Sequence, residues 1–326
     1  MTTLTTHQLE LVEKIRDLKA AKNALVLVHN YLRPEVYEVA DYIGDSLGLC
    51  EKAAETDADI VVFSAVHFMA ESAALLLPSK KVLLPDYDAG CALSDMITAE
   101  QLREFRAQYP KAGVVCYINS TAEVKAESDS VCTSSNAVEV TRALPYDQIL
   151  FVPDKNLAAF VAKQVPEKEI IPWVGYCPIH HRISAEQVMR AKAEHPNAKV
   201  IAHPECPEDV LMIADEVAST SGMISYAEKS PDTEFIVLTE CGLTQRMIRD
   251  MPGKKFMSVC NLCYDMKKTT LDSVYEALMH EQYEIKIPEP VAIRARESFR
   301  KMFALTSVPI SLPSLISHTS LTSTHG

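Results

Sequence analysis

Short apolar runs alternate along this chain with longer segments whose apolar residues recur every three to four positions. The runs are too short for helices and too continuous for half-exposed strands, so they predict buried strands; the periodic segments predict amphipathic helices that cover them. Each third of the chain holds three such runs. The first are residues 24–29, 113–119 and 199–205, the second 60–64, 149–154 and 235–240, and the third 81–86, 170–176 and 256–260. Strands of this kind alternating with helices indicate the α/β class, with parallel sheets covered on both faces.

The third run of each set leads within a few residues to a cysteine, Cys91, Cys177 or Cys263, and the intervals are equal: 177 − 91 = 86 and 263 − 177 = 86. One structural unit repeated three times accounts for that spacing. The first runs end in His29-Asn30-Tyr31, Tyr117-Ile118-Asn119 and His203-Pro204-Glu205. Ligands of parallel sheets gather at the carboxyl ends of the strands, so these groups and the cysteines are expected at one edge.

A length of 326 residues and 48% hydrophobic content allow two or three well-cored domains, and the repeat favours three. The net charge of −12 and the lack of a basic block argue against nucleic acid or an anionic membrane as partner and leave a small molecule. No window reaches the length of a membrane span and residues 1–10 lack the features of a secretory signal, so a cytoplasmic location is expected. Only nine glycines occur, in neither a dinucleotide nor a P-loop pattern. Residues 306–326, rich in Ser and Thr, read as a flexible tail.

Nine cysteines, an odd number, fit free thiols or metal ligands in a reducing compartment better than a disulfide framework. Cys50, Cys116, Cys132, Cys206 and Cys241 follow no shared pattern and read as small buried apolar residues. Cys260-Asn261-Leu262-Cys263 is a C-x-x-C, but no second one exists to complete a zinc ribbon. Three thiolates without an evident fourth leave a coordination position open, as a catalytic centre requires. An iron–sulfur cluster and zinc both suit such a site, the latter as a lyase or hydrolase. A repeat-built binding protein for a small dicarboxylate, with structural cysteines, is the reading from another class.

Several ordered stretches resemble the quinolinate synthase (NadA) family over about Leu11 to Leu305. They include Val28-His29-Asn30-Tyr31, Gly44-Asp45-Ser46, Phe68-Met69-Ala70-Glu71, Tyr117-Ile118-Asn119-Ser120-Thr121 and Cys132-Thr133-Ser134-Ser135-Asn136-Ala137. Trp173-Val174-Gly175-Tyr176-Cys177-Pro178-Ile179-His180, His203-Pro204-Glu205-Cys206-Pro207 and Thr239-Glu240-Cys241-Gly242 continue the series. The resemblance implies three similar αβα-sandwich domains in pseudo-threefold arrangement around a central active site. Expected bounds are 1–109, 110–195 and 196–269, with helices in 270–305 packing back on the first domain.

The activity implied is condensation of iminoaspartate with dihydroxyacetone phosphate to quinolinate, phosphate and two waters, a step toward NAD. A [4Fe–4S] cluster is implied on Cys91, Cys177 and Cys263, with Cys260 as a competitor for iron. His29, Ser46, Tyr117, Ile118, Asn119, Ser134, His180, His203, Pro204, Glu205 and Thr220 match substrate-contacting positions, Thr220 rather than Ser221 although this stretch is one residue longer than usual. Tyr31, Tyr117, His203 and Glu205 are the catalytic candidates, with Glu205 as general base. Ser46, Ser134 and Thr220 stand where a hydroxyl and free amides make an anion site, or where they are helix N-caps and nothing more. The pathway implies transient contact with an aspartate oxidase or dehydrogenase that supplies the unstable imine.

Overall fold

The structure, a computed structural model, describes residues 4–306. The first unit comprises α1 (Thr6–Ala21), β1 (Ala24–His29), β2 (Tyr42–Gly44), α2 (Ser46–Ala54), β3 (Ile60–Ser64), α3 (His67–Leu76) and β4 (Lys81–Leu83). The second comprises α4 (Ala99–Gln108), β5 (Gly113–Tyr117), α5 (Ala122–Ala126), β6 (Ser130–Cys132), α6 (Ala137–Ala143), β7 (Gln148–Val152), α7 (Lys155–Gln164) and β8 (Glu169–Pro172). After α8 (Pro178–His181), the third holds α9 (Ala185–Glu194), β9 (Lys199–Ala202), α10 (Glu208–Leu211), β10 (Glu216–Val217), α11 (Thr220–Lys229), β11 (Glu234–Leu238), α12 (Cys241–Asp250) and β12 (Lys255–Ser258). Helices α13 (Leu271–His280) and α14 (Glu289–Leu305) close the described chain.

Each unit forms one four-stranded, all-parallel sheet of the same order: β2-β1-β3-β4, β6-β5-β7-β8 and β10-β9-β11-β12. The nine apolar runs are the three inner and outer strands of each sheet. A fourth strand per sheet was not foreseen, because β2, β6 and β10 are only three, three and two residues long and carry no apolar run. An aspartate just before each of them replaces length with a clamp. Asp41 Oδ2 accepts the amide of Val26 at 2.7 Å, Asp129 that of Val114 at 2.8 Å and Asp215 that of Val200 at 2.8 Å, tying each edge strand's entry to the neighbouring central strand.

The helix leading into each unit opens on a reciprocal cap: Thr5 with Gln8, Thr98 with Gln101 and Ser184 with Gln187. These leading helices pack forward along the chain. Leu102 of α4 is buried with Val114, Cys116, Leu150 and Val152 of the second sheet, and Val188 of α9 with Val200, Ile236 and Leu238 of the third. Each of these helices thus covers the sheet that follows it. Helix α13 packs on α1 and β3 of the first unit, whereas α14 lies chiefly against α5 and β6 of the second unit and reaches α3 of the first. Its apolar face, Ala292, Ala295, Phe299, Met302 and Phe303, explains that position. The expected tail falls, beyond Thr306, outside the described residues.

Among the described residues no helix is long and apolar enough to cross a membrane. The expectation of free thiols fails at one pair: Cys241 and Cys260 form a disulfide. Beyond β11 and β12 the parallel pairing continues through a bridge between Glu240 and Asn261, which brings the adjoining cysteines side by side with a Cα separation of 5.2 Å. The apolar runs 235–240 and 256–260 already pointed past the ends of these strands, but not to the pairing that joins the cysteines. Cys260 is thereby taken out of competition for metal, and Cys241 is not the inert core residue expected. Cys50, Cys116, Cys132 and Cys206 are buried free thiols.

Candidate active site

The carboxyl ends of the three sheets face one cavity of about 940 Å³ including its mouth. It is lined by Cys91, Cys177 and Cys263, by His29, Tyr31, Tyr117, Asn119, His180, His203 and Glu205, and by Ser46, Ser134 and Thr220. Thr220, not Ser221, is among the lining residues. Ile118 and Pro204 do not line it; Ile118 belongs to the apolar core and its amide pairs with Cys132 O at 2.8 Å. Alternation along an extended segment gives the reason, since Tyr117 and Asn119 face the cavity and the residue between them turns away.

Local hydrogen bonding sets the state of the strand-end histidines. The amide of Tyr31 donates to His29 Nδ1 at 3.2 Å, and the amide of Glu205 to His203 Nδ1 at 3.4 Å. With Nδ1 as acceptor, the neutral ring carries its proton on Nε2, a donor suited to a carboxylate or phosphate. Burial lowers His29 to about 3, helped by the nearby Lys267 and Arg246 charges. Burial likewise lowers His203 to about 3, against the pull of Glu205.

Glu205, 2% exposed, is the hub. Its Oε2 lies 2.8 Å from His180 Nδ1, and its Oε1 accepts a short hydrogen bond from the Tyr117 hydroxyl. Burial alone would raise this carboxyl; the facing His180, with His203 and the Tyr117 hydrogen bond, outweighs it and holds Glu205 as the anion. Tyr117 and Tyr31 are pushed well above the usual tyrosine range by burial and then by the Glu205 charge. His180 and His203 stack with centroids 4.6 Å apart, an arrangement that disfavours two charged rings.

Thr239 joins this network and was not foreseen as a site residue. Its Oγ1 lies 2.6 Å from the Tyr31 hydroxyl and 2.9 Å from His180 Nε2. In the neutral tautomer that donates Nδ1–H to Glu205, Nε2 is left to accept from Thr239, whose oxygen then accepts from Tyr31. A continuous chain thus runs from Tyr31 through Thr239 and His180 to Glu205 and Tyr117. Thr239 stands in the quoted Thr239-Glu240-Cys241-Gly242 stretch, one residue past β11, and its place at a strand end was the available signal. Gly242 in the same stretch permits close approach, because a Cβ there would meet Tyr31 O at 2.7 Å.

The N-cap alternative for the hydroxyls is settled by their neighbours. Asp45 caps α2 by accepting from Gly48, and Ser219 caps α11 by accepting from Gly222. Ser46 and Thr220 are therefore first-turn residues that line the cavity, and Ser134 precedes the Asn136 that begins α6. Candidate anion contacts from all three units converge.

The cysteine loops are shaped for sulfur ligation. Backbone amides of Ser94 and Leu93 donate to Cys91, that of His180 to Cys177, and those of Met266 and Asp265 to Cys263, each lowering a thiol that burial raises. Cys91 is pushed up to about 12 by burial. The residues at the ends of two strands hold the loops from behind: Asp154 Oδ2 accepts the Cys177 amide at 3.0 Å and Glu240 Oε1 the Cys263 amide at 3.1 Å. Half-buried thiols with amide donors aimed at sulfur, one from each unit on a common cavity, fit a metal that displaces their protons. The Cys177, His180 and Glu205 ligand atoms also lie within 4.8 Å of one another.

Fold and site together define a three-unit α/β enzyme with a cysteine-lined cavity suited to a metal. Comparison with known proteins gives it its place: the family model described as Quinolinate synthetase A protein matches residues 13–304, and the chain belongs to that family. Three similar proteins, each named quinolinate synthase, come from Alkaliphilus metalliredigens, Thermodesulfovibrio yellowstonii and Methanosarcina barkeri. They are 51%, 50% and 49% identical over 301, 298 and 301 residues, covering 92%, 91% and 92% of this chain and 99%, 98% and 99% of their own.

Proposed function

We propose that this chain condenses iminoaspartate with dihydroxyacetone phosphate to form quinolinate, phosphate and two waters on the way to NAD, with Cys91, Cys177 and Cys263 holding a [4Fe–4S] cluster. The observation that carries the reading is the meeting, in one cavity, of a thiol from each unit with the Glu205 carboxylate clasped by Tyr117 and His180. Membership of the family and the names of its members support it. When bound, the cluster supplies a Lewis-acidic iron for the loss of hydroxyl as water. Atoms balance without any net oxidation, so no electron carrier is needed.

His29 and His203 present Nε2 protons, and Ser46, Ser134 and Thr220 hydroxyls, to the carboxylates and phosphate of the two substrates. Glu205, already ionised, accepts a proton at the carbon that forms the new bond, while the Tyr117 hydroxyl keeps it aimed. Asn119 orients a carboxylate. Tyr31, its hydroxyl held by Thr239, delivers a proton to a departing oxygen. Because iminoaspartate is short-lived in water, a reaction that oxidises aspartate must deliver it nearby, in transient contact with this enzyme.

Anaerobic purification followed by iron, sulfide and zinc analysis and an assay of quinolinate formation tests the reading. Iron with sulfide, and product formation, are expected. Zinc without sulfide would instead favour a hydrolytic or lyase centre, toward which the Cys177, His180 and Glu205 group points. Glu205→Gln should lower turnover roughly 10²-fold or more while metal content is retained; undiminished turnover in that variant would remove Glu205 as the base.

A further inference from the structure

The three turns that carry the pocket hydroxyls meet at a single carboxylate oxygen. Asp45 ends the β2 segment of the first unit, and its Oδ2 accepts from Ser135 Oγ of the second unit at 3.0 Å and from Ser219 Oγ of the third at 3.0 Å. Its Oδ1 accepts the Gly48 amide at 2.9 Å. Ser219 Oγ already accepts the Gly222 amide, so its one hydroxyl proton is directed to Asp45. Asp45 and Ser219 are both buried. Each of the three residues is the chain neighbour of a cavity-lining hydroxyl: Ser46 after Asp45, Ser134 before Ser135 and Thr220 after Ser219.

We infer that Asp45 is a positioning residue, a three-way latch that holds the pocket turns of all three units in one arrangement and so sets the affinity for anionic substrates. An acidic group beside a site for carboxylates and phosphate is repulsive unless donors absorb its charge. Here two hydroxyls and an amide do so, and those two serines are thereby withdrawn from the ligand. Thr220 is aligned by the same logic from the other side. Its Oγ1 accepts from Asn30 Nδ2 at 2.6 Å, and Asn30 Oδ1 is held by Arg246, which leaves the Thr220 proton to the cavity. A displacement of about 1 Å in any of these donors is enough to weaken binding severalfold.

This rests on the proposed reaction, and the test keeps the two apart. In the iron-loaded enzyme, Asp45→Ala, Ser135→Ala, Ser219→Ala and their combinations are compared by KM and kcat for dihydroxyacetone phosphate. A latch predicts that Ser135→Ala and Ser219→Ala each raise KM about tenfold with a smaller change in kcat, and that the triple variant is no worse than the worst single one, because all break the same junction. Additive effects, or an unchanged KM in both serine variants, overturn it. Hydrogen exchange supplies a readout that does not depend on turnover: Asp45→Ala should speed exchange at residues 133–136 and 219–222, which belong to other units. Ser135→Ala, the mildest change, serves where Asp45→Ala does not fold, and should speed exchange at 45–48. Unaltered exchange in a folded variant also overturns the latch. Failure of the wild-type protein to make quinolinate would refute the reaction while leaving the exchange result to judge the latch.

Discussion

At His29 and His203 the neutral ring is imposed by a backbone amide two residues on, and burial then resists protonation. The sign of the resulting pH effect follows from linkage. A histidine held at about 3 in the folded chain and near 6.5 when unfolded binds its proton only after unfolding between those values. Its stabilising contribution is complete above about pH 6.5 and is lost as pH falls toward 3. Asp154, raised to about 8 chiefly by burial, acts in the opposite direction, so the informative quantity is a difference between variants. His29→Asn should make unfolding free energy less dependent on pH by roughly 1.4 kcal/mol per unit between about pH 6 and 4, measured by denaturant titration at several pH values. An unchanged slope would mean that His29 is not held neutral. These histidines were legible in the sequence because they end apolar runs. Thr239 was less so, since a threonine after a strand carries no chemical mark until its partners, 59 and 208 residues away, are known.

Among the elements, the central strands and covering helices could be read directly, because burial on both faces writes a continuous apolar run such as Ile60–Ser64 or Glu234–Leu238. The edge strands could not. Two or three residues carry too little pattern, and their placement depends on Asp41, Asp129 and Asp215, whose clamps are tertiary contacts. The leading helices were legible as helices but their partners were not, since periodicity shows which face is apolar and not what it meets. Leu102, fully buried, tests that assignment: Leu102→Ala should destabilise the protein by about 2–5 kcal/mol, whereas Leu9→Ala on α1, at a position 53% exposed, should cost under about 0.5 kcal/mol. Equal effects in denaturation measurements would place α4 off the second core. Site hydroxyls were found with their plainer role attached, and the capping neighbours Asp45 and Ser219 resolve it.

For the whole molecule, the C-terminal helix matters more than its distance from the cavity implies. Arg296 Nε on α14 bonds Leu75 O of the first unit at 3.0 Å, and Arg294 meets Glu127 of the second at 3.1 Å, so α14 straps those two units together. Phe299→Ala should lower stability by about 3–5 kcal/mol and accelerate hydrogen exchange in α3, α5 and β6 while leaving β9 to β12 little changed. Uniform acceleration through all three sheets would show that no such strap exists. The threefold repeat bears on ancestry as well. Three identical copies of one 86-residue ancestor, ringed about an axis, would already bring a thiol apiece to a shared centre, but they would also have to present the same side chain three times at that axis. Fusion into a single polypeptide lifts that restriction. It is what allows one acid and two alcohols to occupy related places at the hub, a lopsided grouping that no symmetric ring of equals can build.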